Sequence, residues 1–142
     1  MRKIKYGISI ALMLCSVAWY GCKDNGPTVT EVTTQQLTSH PWKVSVVTVD
    51  AVDKTSLFTN MTLTFTASGY TTTNGGPVWP ASGTWKFVDG AARKIIRNDD
   101  LEITITEITD TSLKFSLTWN ANTFGSGRTS SVAGNHLFTL TK

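Results

Sequence analysis

From Trp42 to Leu140 the chain alternates apolar and polar residues with a period of two, and it does so eight times over. Trp42, Val44 and Val46 alternate with Lys43 and Ser45, and Met61, Leu63 and Phe65 with Thr62, Thr64 and Thr66. Tyr70 to Thr73 is a short run, and Trp85 and Phe87 alternate with Thr84 and Lys86. Arg93 to Arg97 carries Ile95 and Ile96, and Leu101, Ile103 and Ile105 alternate with Glu102 and Thr104. Leu113, Phe115, Leu117 and Trp119 alternate with Lys114, Ser116 and Thr118, and His136, Phe138 and Leu140 with Leu137 and Thr139. Side chains on a strand point to opposite faces in turn, so this pattern predicts strands with one buried face.

The connections decide how these strands pair. Ala67-Ser68-Gly69, Asp89-Gly90-Ala91, Asn98-Asp99-Asp100 and Thr109-Asp110-Thr111 are short and rich in turn-forming residues. Short hairpins make sequential strands antiparallel neighbours. An open meander would leave two exposed edges, and closure into a barrel removes them. The expected fold is therefore all-β: about eight strands in an antiparallel up-and-down meander, closed as a barrel over residues 37–142. Two longer connections, 75–82 and 120–131, are the places to look for function or mobility.

The chain upstream reads as an export segment. Arg2, Lys3 and Lys5 precede an apolar stretch from Tyr6 to Tyr20, which is short for a bilayer span of about 20 residues. It ends at Gly21-Cys22, followed by Lys23-Asp24. A small residue before cysteine suits the peptidase that trims bacterial lipoproteins, so 1–21 is expected to be a signal peptide and Cys22 the acylated anchor. Residues 22–36 then read as lipidated cysteine and flexible tether, with one helical turn from Gln35 to Ser39 and Leu37 turned inward. Lys23-Asp24 is either a cell-surface sorting signal or simply a solvated linker. The other cysteine, Cys15, falls in the export segment, so no thiol remains for a disulfide, a metal or catalysis.

Charge argues against nucleic acid. Of thirteen Lys and Arg, Arg2, Lys3 and Lys5 leave with the signal, and the remaining ten are balanced by ten Asp and Glu. The basic character of the full chain therefore belongs to its export segment, and no basic patch with interleaved aromatics follows it.

Leu37 with Trp42-Lys43-Val44, Leu63 to Tyr70, Gly83-Thr84-Trp85-Lys86-Phe87, and Ile105 to Thr109 leading to Leu113-Lys114-Phe115 together resemble the short lipocalin-like domain of Gram-negative lipoproteins. The resemblance covers 37–142. It implies an eight-stranded meander able to hold a small apolar ligand, in a lipid-anchored protein of the cell envelope, at the outer membrane and in some members at the surface.

An eight-stranded barrel can be filled by its own side chains or can hold one small ligand. Both remain open here. Trp42, Phe65, Tyr70, Trp85, Phe115 and Trp119 are the candidate lining. Trp79, between Pro77 and Pro80, either plugs a barrel end or forms an exposed platform. Phe124 and Arg128 either line a portal, with Arg128 meeting an acidic headgroup, or belong to a flexible hairpin tip. The carrier reading takes a small apolar or amphipathic ligand. The alternative is a packed barrel that binds an envelope protein or glycan through its loops.

No catalytic constellation, cofactor motif or metal spacing stands out. Gly125-Ser126-Gly127 is not a nucleophile elbow. His40 and His136 have no ligand-like spacing. Asp50, Asp53, Asp99 and Asp100 read as solvated turn carboxylates. The expectation is a binding protein that is not an enzyme.

Overall fold

The computed structural model describes residues 26–120 and 133–142. The export segment, Cys22, Phe124 and Arg128 lie outside the described residues.

Among the described residues, one α-helix, α1 (Val29–Thr38), precedes nine strands: β1 (Trp42–Val49), β2 (Val52–Asp53), β3 (Thr62–Phe65), β4 (Gly69–Thr73), β5 (Ser82–Phe87), β6 (Lys94–Arg97), β7 (Glu102–Ile108), β8 (Ser112–Trp119) and β9 (Gly134–Thr141). Every pairing is antiparallel, in the order β1-β3-β4-β5-β6-β7-β8-β9, and β9 returns to pair with β1. The expected eight-stranded up-and-down barrel is thus present and closed. The additional strand, β2, is a two-residue hairpin extension of β1, joined by Asp50 and Ala51, both with positive φ.

The pairing registers define two ends. Turns 66–68, 88–93 and 109–111 lie at one end, beside α1. Turns 50–51, 74–81 and 98–101 lie at the other, with Trp119 at the end of β8 and Gly134 at the start of β9.

Two expectations need correction. The helix is longer than one turn and starts at Val29, inside the stretch read as tether. Its start is fixed by a capping box: the Thr28 hydroxyl accepts from the Glu31 N–H, and the Glu31 carboxylate accepts from the Thr28 N–H at 2.7 Å. Each group satisfies a backbone or side-chain partner that the first helical turn leaves open. The second correction concerns β1. Val46 was expected inside and is 41% exposed, while Val47 and Val49 are buried. A bulge against β9 between Val44 and Val46 inserts one residue, and one residue reverses the phase of everything after it.

The helix closes its end of the barrel. It contacts β3 and β7, which stand opposite each other in the ring of eight. Leu37 is fully buried, and its carbonyl accepts from the Trp42 indole N–H at 2.9 Å. His40 packs on Trp42 at 4.2 Å between centroids and meets the Asp110 carbonyl at 3.0 Å through Nε2. No helix among the described residues is long and apolar enough to cross a membrane.

Candidate functional site

Burial inside the barrel follows alternation. Tyr70 and Thr72 on β4, Ile95 and Arg97 on β6, Phe115, Leu117 and Trp119 on β8, and His136 and Phe138 on β9 all face inward. The candidate lining residues divide into two groups. Trp42, Phe65 and Trp85 gather at the helix end: Phe65 and Trp85 meet edge to face at 5.8 Å, and the Trp85 indole donates to the carbonyls of Thr66 and Gly69, each at 3.1 Å. Tyr70, Trp79 and Phe115 form the second group, gathered around the Trp79 ring.

Trp79 joins the second group because its loop folds back into the bore. The loop 74–81 turns on a Trp79 N–H to Gly75 carbonyl bond of 3.1 Å. Gly75 is buried there, and a Cβ on it would come within 2.5 Å of Trp79 Cβ and 2.6 Å of Thr72 Cγ2. Only glycine lets the loop close this tightly. Val78 and Trp79 are buried in consequence. The indole stands edge to face against Tyr70 at 5.3 Å and Phe115 at 5.4 Å, and Phe115 stacks on Phe138 at 5.1 Å. Phe58, from the short 3-10 helix Thr55–Phe58, closes on Phe138 at 5.1 Å. Of the two readings of Trp79, the plug is the one the fold adopts.

Arg97 was not among the candidates, yet it is the most unusual residue of this group. Its side chain is fully buried. The guanidinium lies 4.9 Å from the Trp79 ring centroid and 5.9 Å from that of Tyr70. Nη1 donates to the Val78 carbonyl at 2.7 Å, Nε donates to Asp99 Oδ1 at 3.0 Å, and Nη2 donates to Asp99 Oδ2. One arginine therefore holds both the plug loop and the β6–β7 turn, stacking on the indole as it does so. Asp99, expected to be a solvated turn residue, is instead a bidentate partner, and the arginine holds its carboxyl below the usual range. The sequence did carry a signal: Ile95 and Arg97 are two apart on a strand and so share a face.

Four buried polar atoms among the described residues have no hydrogen-bond partner: Thr72 Oγ1, Trp79 Nε1, Trp119 Nε1 and His136 Nε2. All four residues belong to the far half of the barrel. His136 faces inward opposite Leu117, and Trp119 follows one inward step nearer the rim. The His136 Nδ1–H meets the Gly134 carbonyl at 3.1 Å, which leaves Nε2 as the unprotonated nitrogen. Burial pushes the His136 pKa down, partly offset by the Gly134 hydrogen bond and the Asp50 carboxylate. Lowered in the folded state, it makes the unfolded chain the better proton acceptor. Stability should be complete above the ordinary histidine value of about 6.5 and decline as pH falls through and below it. Thermal melts between pH 8 and pH 5 check this: the midpoint should drop on acidification, and His136→Phe should flatten that part of the slope.

The hollows whose lining is described open on the outer wall. One of about 480 Å3 spans β7, β8 and β9 near the far end, between Glu102, Thr104, Ser116, Thr118, Asn120 and Asn135. Two smaller ones, of about 360 Å3 and 270 Å3, lie beside Lys43 and Thr62 and beside Thr84 and Asn98. Among the described residues, no group of three or more His, Cys, Asp or Glu stands close enough to hold a metal. Trp119 is half-buried near the rim, and Phe124 and Arg128 lie in the connection outside the described residues. The geometry is that of a closed eight-stranded antiparallel barrel in which Trp79, Tyr70, Phe115 and Phe138 pack together inside. No protein-family model and no curated protein matches this sequence.

Proposed function

We propose that this chain is a lipid-anchored protein of the cell envelope whose barrel is a binding module working from its outside. Its loops and outer wall would engage a partner protein or glycan, with no apolar cargo in the bore. The observation that carries this reading is the placement of Trp79, which is buried inside the barrel and packs edge to face on Tyr70, Phe115 and Phe138. The hollow on β7, β8 and β9 supports it. Carboxylate, hydroxyl and amide groups line it beside Leu101 and Leu117, a mixture that suits a sugar, with its hydroxyls and apolar ring face, or a polar peptide. No step of this reading needs a catalytic group or a cofactor.

Native mass spectrometry of the acylated full chain, exposed to a total lipid extract, tests it. The expected mass is that of the protein with its own acyl chains. A stoichiometric apolar adduct on the wild-type protein would overturn the reading and restore the carrier. That second reading has one observation of its own. The unpartnered Thr72, Trp79 and His136 atoms are what the polar head of an amphipathic ligand would satisfy if Trp79 swung out.

The anchor is tested separately. Cys22→Ala should move the protein out of the membrane fraction. Each acyl methylene buried in lipid contributes about 0.8 kcal/mol, so losing two or three chains abolishes firm attachment. A mutant that sediments with membranes like wild type would remove the lipoprotein assignment.

A further inference from the structure

The described helix shortens the leash on which the barrel would hang. Cys22 stands six residues before Thr28, where the capping box begins α1. Six residues span at most about 22 Å even when fully extended. The far end of that leash is not a mobile point. α1 crosses the bore from β3 to β7, Leu37 is fully buried beneath it, and the Trp42 indole ties to the Leu37 carbonyl. A ten-residue helix is only about 15 Å long, so Thr28 stays at the rim of the closed end. The outer face of α1 carries Val29, 59% exposed, and Val32, 39% exposed, three residues apart and so side by side.

We propose that acyl chains on Cys22 seat the helix-closed end of the barrel on the bilayer, with Val29 and Val32 toward the headgroups. The far end, with the Trp79 loop and the root of the β8–β9 connection, then faces the aqueous space. This rests on the Cys22 acylation reading above. It adds a direction: the eight-residue strands β1, β8 and β9 run about 26 Å, or about 20 Å of barrel height once tilted, and that height separates the two ends. A partner in the aqueous space meets the far end first. The helix end is left to lipid.

With Cys22 acylated the mature chain has no other cysteine, so single thiols can be placed at will. Thr111→Cys lies in the turn beside α1, and Val52→Cys lies beyond β1 at the opposite end; both positions are exposed. Each full-length acylated variant is labelled with bimane and reconstituted into phosphatidylcholine vesicles containing a lipid with a nitroxide headgroup. Roughly threefold more quenching is expected at position 111 than at position 52, given the barrel height and the short leash. Equal quenching, or more at position 52, in protein that floats with the vesicles overturns the orientation and leaves acylation standing. Protein that does not float overturns the acylation reading and the orientation with it.

Discussion

Trp79→Ala should lower stability by about 3–5 kcal/mol, because it deletes a buried aromatic from a space its neighbours cannot collapse into. Trp79 is 2% exposed, and its ring meets Tyr70, Phe115 and Phe138 edge to face. Those three rings are fixed on strands, so they hold their places when the indole is gone. The loss should appear as a melting midpoint lower by more than about 10 °C. The same mutant should gain a property. The cavity left is shaped by an indole, walled by Tyr70, Phe115 and Phe138 and by the Arg97 guanidinium that stacked on the lost ring, so an indole-sized aromatic fits it and regains that cation–π contact. Free indole should therefore raise the midpoint of Trp79→Ala in a concentration-dependent way and leave wild type unchanged. Gly75→Ala, which denies the loop its tight turn, should weaken the plug without removing the ring. A Trp79→Ala variant as stable as wild type would mean that the loop is a loose lid over a space already available to ligand, and the carrier function would return.

The alternation that predicts the barrel is legible because each strand buries one face and turns on a short hairpin. Ile103, Ile105, Leu113, Phe115 and Leu117 point where the pattern puts them. Where the pattern misleads, a local device intervenes. The bulge in β1 exposes Val46 and buries Val47, and no residue at Ser45 announces it. Thr28 and Glu31 do announce the helix start, since that spacing is a capping-box signature; the Gly26-Pro27 pair and the threonines around it make the stretch look like linker. Burial of Trp79 depends on how far loop 74–81 folds inward, which is a matter of tertiary closure around Gly75. Periodicity within the loop carries no information about it. Arg97 is hidden for the opposite reason. Its position on β6 marks it as inward-facing, but a charged side chain is admitted there only because Asp99, the Val78 carbonyl and two aromatic faces converge on it, and those partners come from three separate segments.

Asp99→Asn should cost more stability than Arg97→Met, although the aspartate is the more exposed of the two. The Arg97 side chain is fully buried, while that of Asp99 keeps 38% of its exposure. Removing the carboxylate leaves a guanidinium charge inside the barrel with one carbonyl and two rings for company. Breaking a buried pair by deleting one partner is strongly destabilising, and about 3 kcal/mol is expected here, at the low end because water reaches position 99. Arg97→Met removes the charge together with its desolvation cost and keeps much of the packing volume. What it loses is a donor for the Val78 carbonyl and the stacking on Trp79, about 1–2 kcal/mol in all. Acid gives an independent check. Asp99 has its carboxyl pKa lowered in the fold, so its contribution is complete above 3.8 and lost as pH falls below that value through the folded pKa. In denaturant melts the gap between wild type and Asp99→Asn should therefore be full at pH 7 and narrow progressively as pH falls below 3.8. The reverse order of the two mutants at pH 7, with Arg97→Met the worse, would mean that Arg97 matters as a strut under the Trp79 loop more than as a charge that needs its counterion.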